Sequence, residues 1–413
     1  MRRRSLQTIT IRKVTSSELL FFIFLIPFFK LLSIGLFQDA GFHKGFFSVY
    51  ERFLDIMRVV MATYGFFVYL RYIFLRNNIK LSLIAKFLCC LFFMLAVVCI
   101  ANRSISMTTF AKVYTYIGFI LACDISLKNN SEGFFRSIIG FFGFLCVVNI
   151  VFTFLFPRGF FTATNVYDAI YFFGGKNTAF PFYFIYLYSI CIRCVMKNEY
   201  LPASWFIMWG AMLLSTIISS SAAGILCMFL IFAVVILFQL VKLELKPQLI
   251  FIVLCIIVIM IYVGVNIPFV NQLLVRFGRN STFSYRTVLW RGAMVYFKQS
   301  PLFGAGENLS FAVGNGVITD HAHSYYLDSL SKYGVASQVF FFITVFNIVR
   351  YISRFPNKRV GTYIGLLIAI YLLFMGFNDY NYNFMIVIFL MTNYALFNCK
   401  SSEKDDELVE SSY

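Results

Sequence analysis

The chain has 413 residues, of which 60% are hydrophobic and 13% charged, with 54 Phe and a formal net charge of +17. So little polar surface cannot enclose a soluble core, which excludes a soluble globular domain and indicates an integral membrane protein. The basic excess does not indicate nucleic-acid binding, because it sits in short loops between apolar runs with no separate basic module.

The apolar runs are continuous rather than alternating, so helices are expected and an outer-membrane barrel is not. At about 20 residues per crossing, spans are placed near 18–37, 55–75, 81–101, 108–123, 134–156, 177–196, 203–219, 222–241, 248–267, 332–352, 360–377 and 382–398. The expectation is an all-α, polytopic membrane helix bundle of about 12 transmembrane helices. The basic N-terminus runs into an apolar stretch without a small-residue cleavage site, and is read as an uncleaved first span.

Cationic residues then fall at alternate loops. Arg2, Arg3, Arg4, Arg12 and Lys13 precede the first span; Arg71, Arg76 and Lys80 follow the second; Lys128 and Arg136 follow the fourth; Arg193 and Lys197 follow the sixth. Lys242 and Lys246 follow the eighth, and Arg350, Arg354, Lys358 and Arg359 the tenth. The positive-inside rule places these loops and both termini in the cytoplasm. Segments 38–54, 157–176, 268–331 and 378–383 then face outward. The chain reads as one membrane domain over 1–413 with a large extracytoplasmic loop at 268–331, containing short helices, and an acidic, disordered cytoplasmic tail at 400–413.

All ten cysteines lie in or beside apolar runs, and Cys191 and Cys194 form an isolated C-x-x-C, so burial fits better than a disulfide framework or a metal site. The turn from Ser219 to Gly224 joins two spans through small residues that permit close helix approach.

The outer loop carries the polar chemistry. Capped by Thr282 or Ser284, a short helix is expected from Tyr285 to Gln299, with Val288, Leu289, Val295 and Tyr296 toward the bundle. Arg286 and Trp290, four apart, share one of its faces, while Arg291 points elsewhere. Arginine suits a diphosphate because its planar donors engage two oxygens at once; Arg276 and Arg279 fit that role or simple attachment to lipid headgroups.

Pro301 to Gly306, and later Gly314-Asn315-Gly316, mark tight turns where backbone could approach a ligand. Asp320 or Thr319 is the expected N-cap of the next helix, which would place His321 and His323 in its first turn. Residues two apart on a helix do not face each other, so one histidine is expected at a reaction centre and the other in support. The third histidine, His43, lies in a different loop, and no three-ligand metal site is indicated.

Arg286 and Trp290, then Ser300-Pro301-Leu302-Phe303-Gly304-Ala305-Gly306, then His321-Ala322-His323-Ser324-Tyr325-Tyr326-Leu327 and Gly334, resemble the signature region of the O-antigen polymerase and O-antigen ligase superfamily. Gly174-Gly175-Lys176-Asn177 is similar to a Lys-Asn element of that family. Two positions depart from it: Ser324 stands where asparagine is usual, and Ser221-Ala222 where a Ser-Arg element is usual.

The resemblance implies a bacterial inner-membrane glycosyltransferase that inverts at the anomeric carbon and uses no cofactor or metal. It would move a growing glycan from undecaprenyl diphosphate to a sugar hydroxyl of another lipid-linked repeat, in O-antigen, capsule or exopolysaccharide synthesis. It implies His323 as base and Arg286 as the diphosphate ligand, with His321 beside it; Arg291, Lys176 and Asn177 are further substrate candidates, and Arg158, Lys176, Arg276 or Arg279 are candidates to replace the arginine absent at Ala222. Membrane lipid, a flippase and a chain-length regulator are its implied partners. The Lys-Asn element and aromatic content resemble polymerases more than ligases; a ligase remains the alternative. A flippase would concentrate ionisable residues near mid-membrane in matched halves rather than in one outer loop.

Overall fold

A computed structural model describes residues 16–29, 44–76, 80–104, 106–162, 169–241, 244–264, 286–314, 317–355, 357–378 and 382–395. The helices are α1 Ser16–Leu25, α2 Lys44–Arg76, α3 Leu83–Ala101, α4 Met107–Asn129, α5 Ser131–Leu155, α6 Ala179–Met196, α7 Ala203–Ile218, α8 Ala222–Leu240, α9 Pro247–Gly264, α10 Arg286–Gln299, α11 Tyr325–Ser353, α12 Lys358–Met375 and α13 Tyr382–Ala395. Two short antiparallel hairpins interrupt them, β1 Phe161–Thr162 with β2 Ala169–Ile170, and β3 Phe311–Gly314 with β4 Val317–Thr319. Among the described residues, eight helices are long and apolar enough to cross a membrane, and α7, α13 and Pro247–Ile259 of α9 are shorter apolar helices. The tail expected to be disordered lies outside the described residues.

Helix starts follow capping chemistry. Ser82, Ser106, Asn130, Ser221, Ser324 and Asn357 each accept a backbone N–H three residues on, at 2.9–3.5 Å, beginning α3, α4, α5, α8, α11 and α12. Each cap satisfies a donor that the helix leaves unpaired, a need that sharpens where water is scarce.

From Phe384 to Met391 α13 is apolar on every face and each residue is at most 4% exposed, which makes it a central helix surrounded by others. α2 is peripheral, with Phe53, Phe67 and Phe74 exposed on its outer face. It meets α4 where Gly65 and Gly118 cross: a Cβ at Gly65 would lie 2.2 Å from the Gly118 carbonyl oxygen, so only small residues allow the approach. Within the bundle the Tyr183 hydroxyl accepts from Asn149 (2.6 Å) and shares a hydrogen bond with Ser215 (2.9 Å), which links polar groups on three helices.

Contacts between loops sort them to two ends of the bundle. At one, Lys128 donates to the Lys80 carbonyl (2.8 Å), Arg193 and Lys197 pair with Glu132 (2.8 and 3.0 Å), and Arg359 donates to the Phe238 carbonyl. At the other, Asn102 donates to the Phe303 carbonyl (3.1 Å), Asn383 to the Phe28 carbonyl (2.8 Å), and Ser221 to Asn177 Oδ1 (2.7 Å).

The span expected to begin near 332 is reached by a longer helix that starts at Tyr325 and breaks at Gly334 (φ 68°, ψ −169°). The break is filled by the Pro301–Gly306 turn: Ala305 and Gly306 donate to the Ser331 and Lys332 carbonyls (2.8 and 3.1 Å), and Val335 and Ala336 donate back to Pro301 and Leu302 (2.9 and 3.1 Å). These glycines were expected to let backbone approach a ligand; they instead let two backbones approach each other. A Cβ at Gly304 would lie 2.3 Å from the Lys332 carbonyl and one at Gly334 2.4 Å from the Leu302 oxygen. The Gly334 conformation is accessible essentially to glycine alone. Gly334→Ala is therefore expected to cost about 1–3 kcal/mol in backbone strain alone, read as a lower melting temperature in detergent; an unchanged melting temperature would contradict the clamp.

Candidate functional site

The outer-loop helix α10 begins at Arg286, within one residue of expectation, and buries the expected Leu289 and packs Tyr296, but not Val288 or Val295. Leu289, Trp290 and Ala293 are buried with Leu309, Phe311, Ala322 and Leu327, whereas Val288 and Val295 are exposed. The correction follows from helical spacing: 289, 290 and 293 form one stripe, and 288 and 295 fall beside it. Ala322, between the two histidines, packs into this cluster, so α10 is the platform behind the His-Ala-His segment.

The histidines are not in a helical turn. Ser324, not Asp320 or Thr319, caps α11, its Oγ accepting from the Leu327 N–H at 3.5 Å. Asp328 takes the Ala322 N–H (3.0 Å), and Asp320 turns its carboxylate to His321 Nδ1 (2.5 Å). His323 adopts a left-handed conformation (φ 49°), which costs about 1–2 kcal/mol outside glycine. Off the helix the rings can meet: His321 and His323 stand edge to face, centroids 4.4 Å apart, contrary to the expectation that they face different ways. Serine and asparagine both rank among the preferred N-caps, so Ser324 fills the position with an equivalent cap.

Both histidines line a cavity of about 300 Å³. α3 contributes Phe92, Leu95 and Cys99; α4 contributes Thr109, Lys112, Val113 and Tyr116; Glu307, Ser324, Asp328, Lys332, Tyr333 and Tyr382 complete it. Lys332 pairs with Asp328 at 3.0 Å with side chains 12% and 4% exposed, a buried pair in which removing one partner costs about 3–5 kcal/mol. Across the cavity Lys112 and the Thr109 hydroxyl donate to the Glu307 carboxylate.

Burial alone would raise the Glu307 pKa, but the hydrogen bonds from Lys112 and Thr109, with the charges of Lys112 and Lys332, hold it below the usual carboxylate range. Asp320, largely exposed, is also held below the usual carboxylate range, by the hydrogen bond and charge of His321.

Of the other sequence candidates, Arg286 donates through one terminal nitrogen to the Phe377 carbonyl and through the other to Asn378 Oδ1 (3.3 Å), tying α10 to the turn between α12 and α13. That turn leads to Tyr382 in the cavity wall, although Arg286 is not part of the lining. Lys176 and Asn177 belong to a separate cluster in which Asn177 accepts from Ser221, so the Lys-Asn and Ser-Ala elements meet in space. Arg158 and Arg291 are exposed, and Arg276 and Arg279 lie outside the described residues.

Sequence reasoning missed Lys112, Glu307, Asp328 and Lys332. A lysine within an apolar run was a usable signal for the first, since ionisable residues in spans are costly. Glu307 has no such signal, because its partner Lys112 lies 195 residues away.

The depressed Glu307 pKa fixes a sign. The contribution of this tie is present above the ordinary glutamate value of about 4.3 and fades as pH falls through the lower folded value. The melting-temperature difference between the native chain and Glu307→Gln is expected to be largest at neutral pH and to shrink on acidification below about pH 4. A difference constant from neutral to acid pH would contradict the ionised tie.

Residues 207–342, which contain α10 and both histidines, match the family described as O-antigen ligase. No curated protein matches the chain. Over this region the chain is similar to that family, in keeping with the resemblance carried by its arginine, glycine-turn and histidine motifs.

Proposed function

We propose that the chain polymerises lipid-linked oligosaccharide repeat units at the extracytoplasmic face of a bacterial inner membrane, moving a growing glycan from undecaprenyl diphosphate to a sugar hydroxyl of another lipid-linked repeat. The observation that carries this reading is the cavity in which His321 and His323 meet, inside the family-matched region. It is supported by the two-ended bundle: Lys80, Lys128, Arg193, Lys197 and Arg359 make contacts at one end, which the positive-inside rule assigns to the cytoplasm, and the histidine cavity lies at the other. The twelve crossings and cytoplasmic termini belong to this proposal, as do surface polysaccharide as product and a flippase and chain-length regulator as partners.

The chemistry needs a base at the acceptor hydroxyl and a cation where the diphosphate departs. His323 takes the hydroxyl proton as the oxygen attacks the anomeric carbon, and the bond to the diphosphate breaks with inversion, without metal or cofactor. His321, held by Asp320, fixes the neighbouring imidazole edge to face. Arg286 receives the leaving diphosphate beside the turn that it ties down, with Arg291, Lys176, Asn177, Arg158, Arg276 and Arg279 as further substrate contacts.

The description of the matched family favours a second reading, a ligase that passes finished glycan to a different acceptor. In cells carrying His323→Ala or Arg286→Ala, the polymerase reading expects polymer to fall by about 10²-fold or more while the protein still inserts and single lipid-linked repeats accumulate. Near-normal chain lengths in either variant would remove that residue from its role, and long glycan retained on the lipid would favour the ligase.

A further inference from the structure

The histidine cavity has a charge pattern that distinguishes the two halves of the proposed reaction. Among the described lining residues, Lys112 is paired with Glu307 and Lys332 with Asp328, so two ammonium groups meet two carboxylates. A diphosphate binds where cationic donors exceed anions; here each cation already has its counter-ion, and each carboxylate would repel phosphate oxygen. A neutral polyhydroxylated sugar has the opposite preference, because carboxylates accept and ammonium groups donate to its hydroxyls in charge-assisted hydrogen bonds.

The rest of the wall suits a sugar ring. Tyr116 stacks on Phe92 with centroids 4.6 Å apart, and Tyr382 stands edge-on to both, at 5.4 and 5.0 Å. Aromatic faces carry negative charge density that attracts the polarised C–H face of a pyranose. Lys112 is 54% exposed and Glu307 13%, so the pair presents one open donor edge above a mostly buried acceptor. The histidines and Ser324 lie in the same lining.

We propose that this cavity is the acceptor-sugar pocket. The terminal sugar of the acceptor repeat lies against Tyr116 and Tyr382, its hydroxyls on Glu307, Lys112 and Thr109, and its attacking hydroxyl toward the histidines. Glu307 and Lys112 select which sugar is accepted, and the donor diphosphate stays outside this charge-balanced space, on the Arg286 side. The assignment rests on the glycan-transfer reading and adds which substrate enters the cavity.

The test uses the full chain in lipid nanodiscs. The probe is the repeat-unit oligosaccharide from the producing cells, freed of lipid and diphosphate by mild acid. Saturation-transfer NMR is expected to show contact at ring protons of its terminal sugar, and binding about tenfold weaker for Glu307→Gln and Lys112→Met. Lys112→Arg is expected to recover most of the loss, and inorganic diphosphate to leave the glycan bound. Thr109→Val, which removes one hydroxyl, serves where a charge variant fails to purify as a single species, and is expected to weaken binding in the same direction.

No transfer to the native chain, unchanged binding in the variants, or displacement of the glycan by diphosphate would overturn the pocket. Joining of lipid-linked repeats by the same preparation reports separately on the reading beneath it. A preparation that polymerises but shows unaltered glycan binding in the variants overturns the pocket alone, whereas one that binds glycan and never joins repeats overturns the polymerase.

Discussion

The break in α11 at Gly334, filled by the backbone of the Pro301–Gly306 turn, is the constraint on which the outer end of the bundle depends. Four backbone hydrogen bonds cross between the two segments, and neither Gly304 nor Gly334 has room for a Cβ. Because Asp328 and Lys332 lie in the helical turns just before the break, the clamp sets where that buried ion pair stands. Asp328 in turn holds the Ala322 N–H between the histidines. A chain of short contacts therefore runs from a turn that reads in sequence as an isolated glycine motif to the position of both imidazoles.

The same end separates two kinds of charge. Paired charges surround the cavity, while Arg286 works on the carbonyl and amide of Phe377 and Asn378. Under the proposed function this division would serve a displacement with two substrates, the developing anion meeting an arginine and the neutral nucleophile a balanced wall with a base. It also changes the meaning of the alanine at Ala222. The Ser221–Asn177 hydrogen bond shows that this element is assembled with the Lys-Asn element even where no arginine is present.

What the sequence made legible was what depends on local pattern. Long apolar runs located the helices, because a bilayer-length stretch has few other solutions. The start of α10 was also readable. The histidine conformation was not, because Asp320 and Ser324 are both good caps and nothing local shows that Asp320 is drawn to His321 while Asp328 takes the Ala322 amide. The face of α10 was right at Leu289 and Tyr296 and wrong at Val288 and Val295, because Trp290 was paired with Arg286 alone, when its burial with Leu289 and Ala293 is what docks the helix. Lys112 and Glu307 escaped because their meaning comes from a contact across 195 residues.

The central claim is that the chain joins lipid-linked repeats at the outer face of the membrane. Mass analysis of lipid-linked glycans in cells lacking the chain tests it most directly, because it reports substrate and step together. The account predicts outward-facing single repeat units on the polyprenyl diphosphate and no longer species. Full-length glycan accumulating on the lipid, or single repeats retained on the cytoplasmic face, would contradict it.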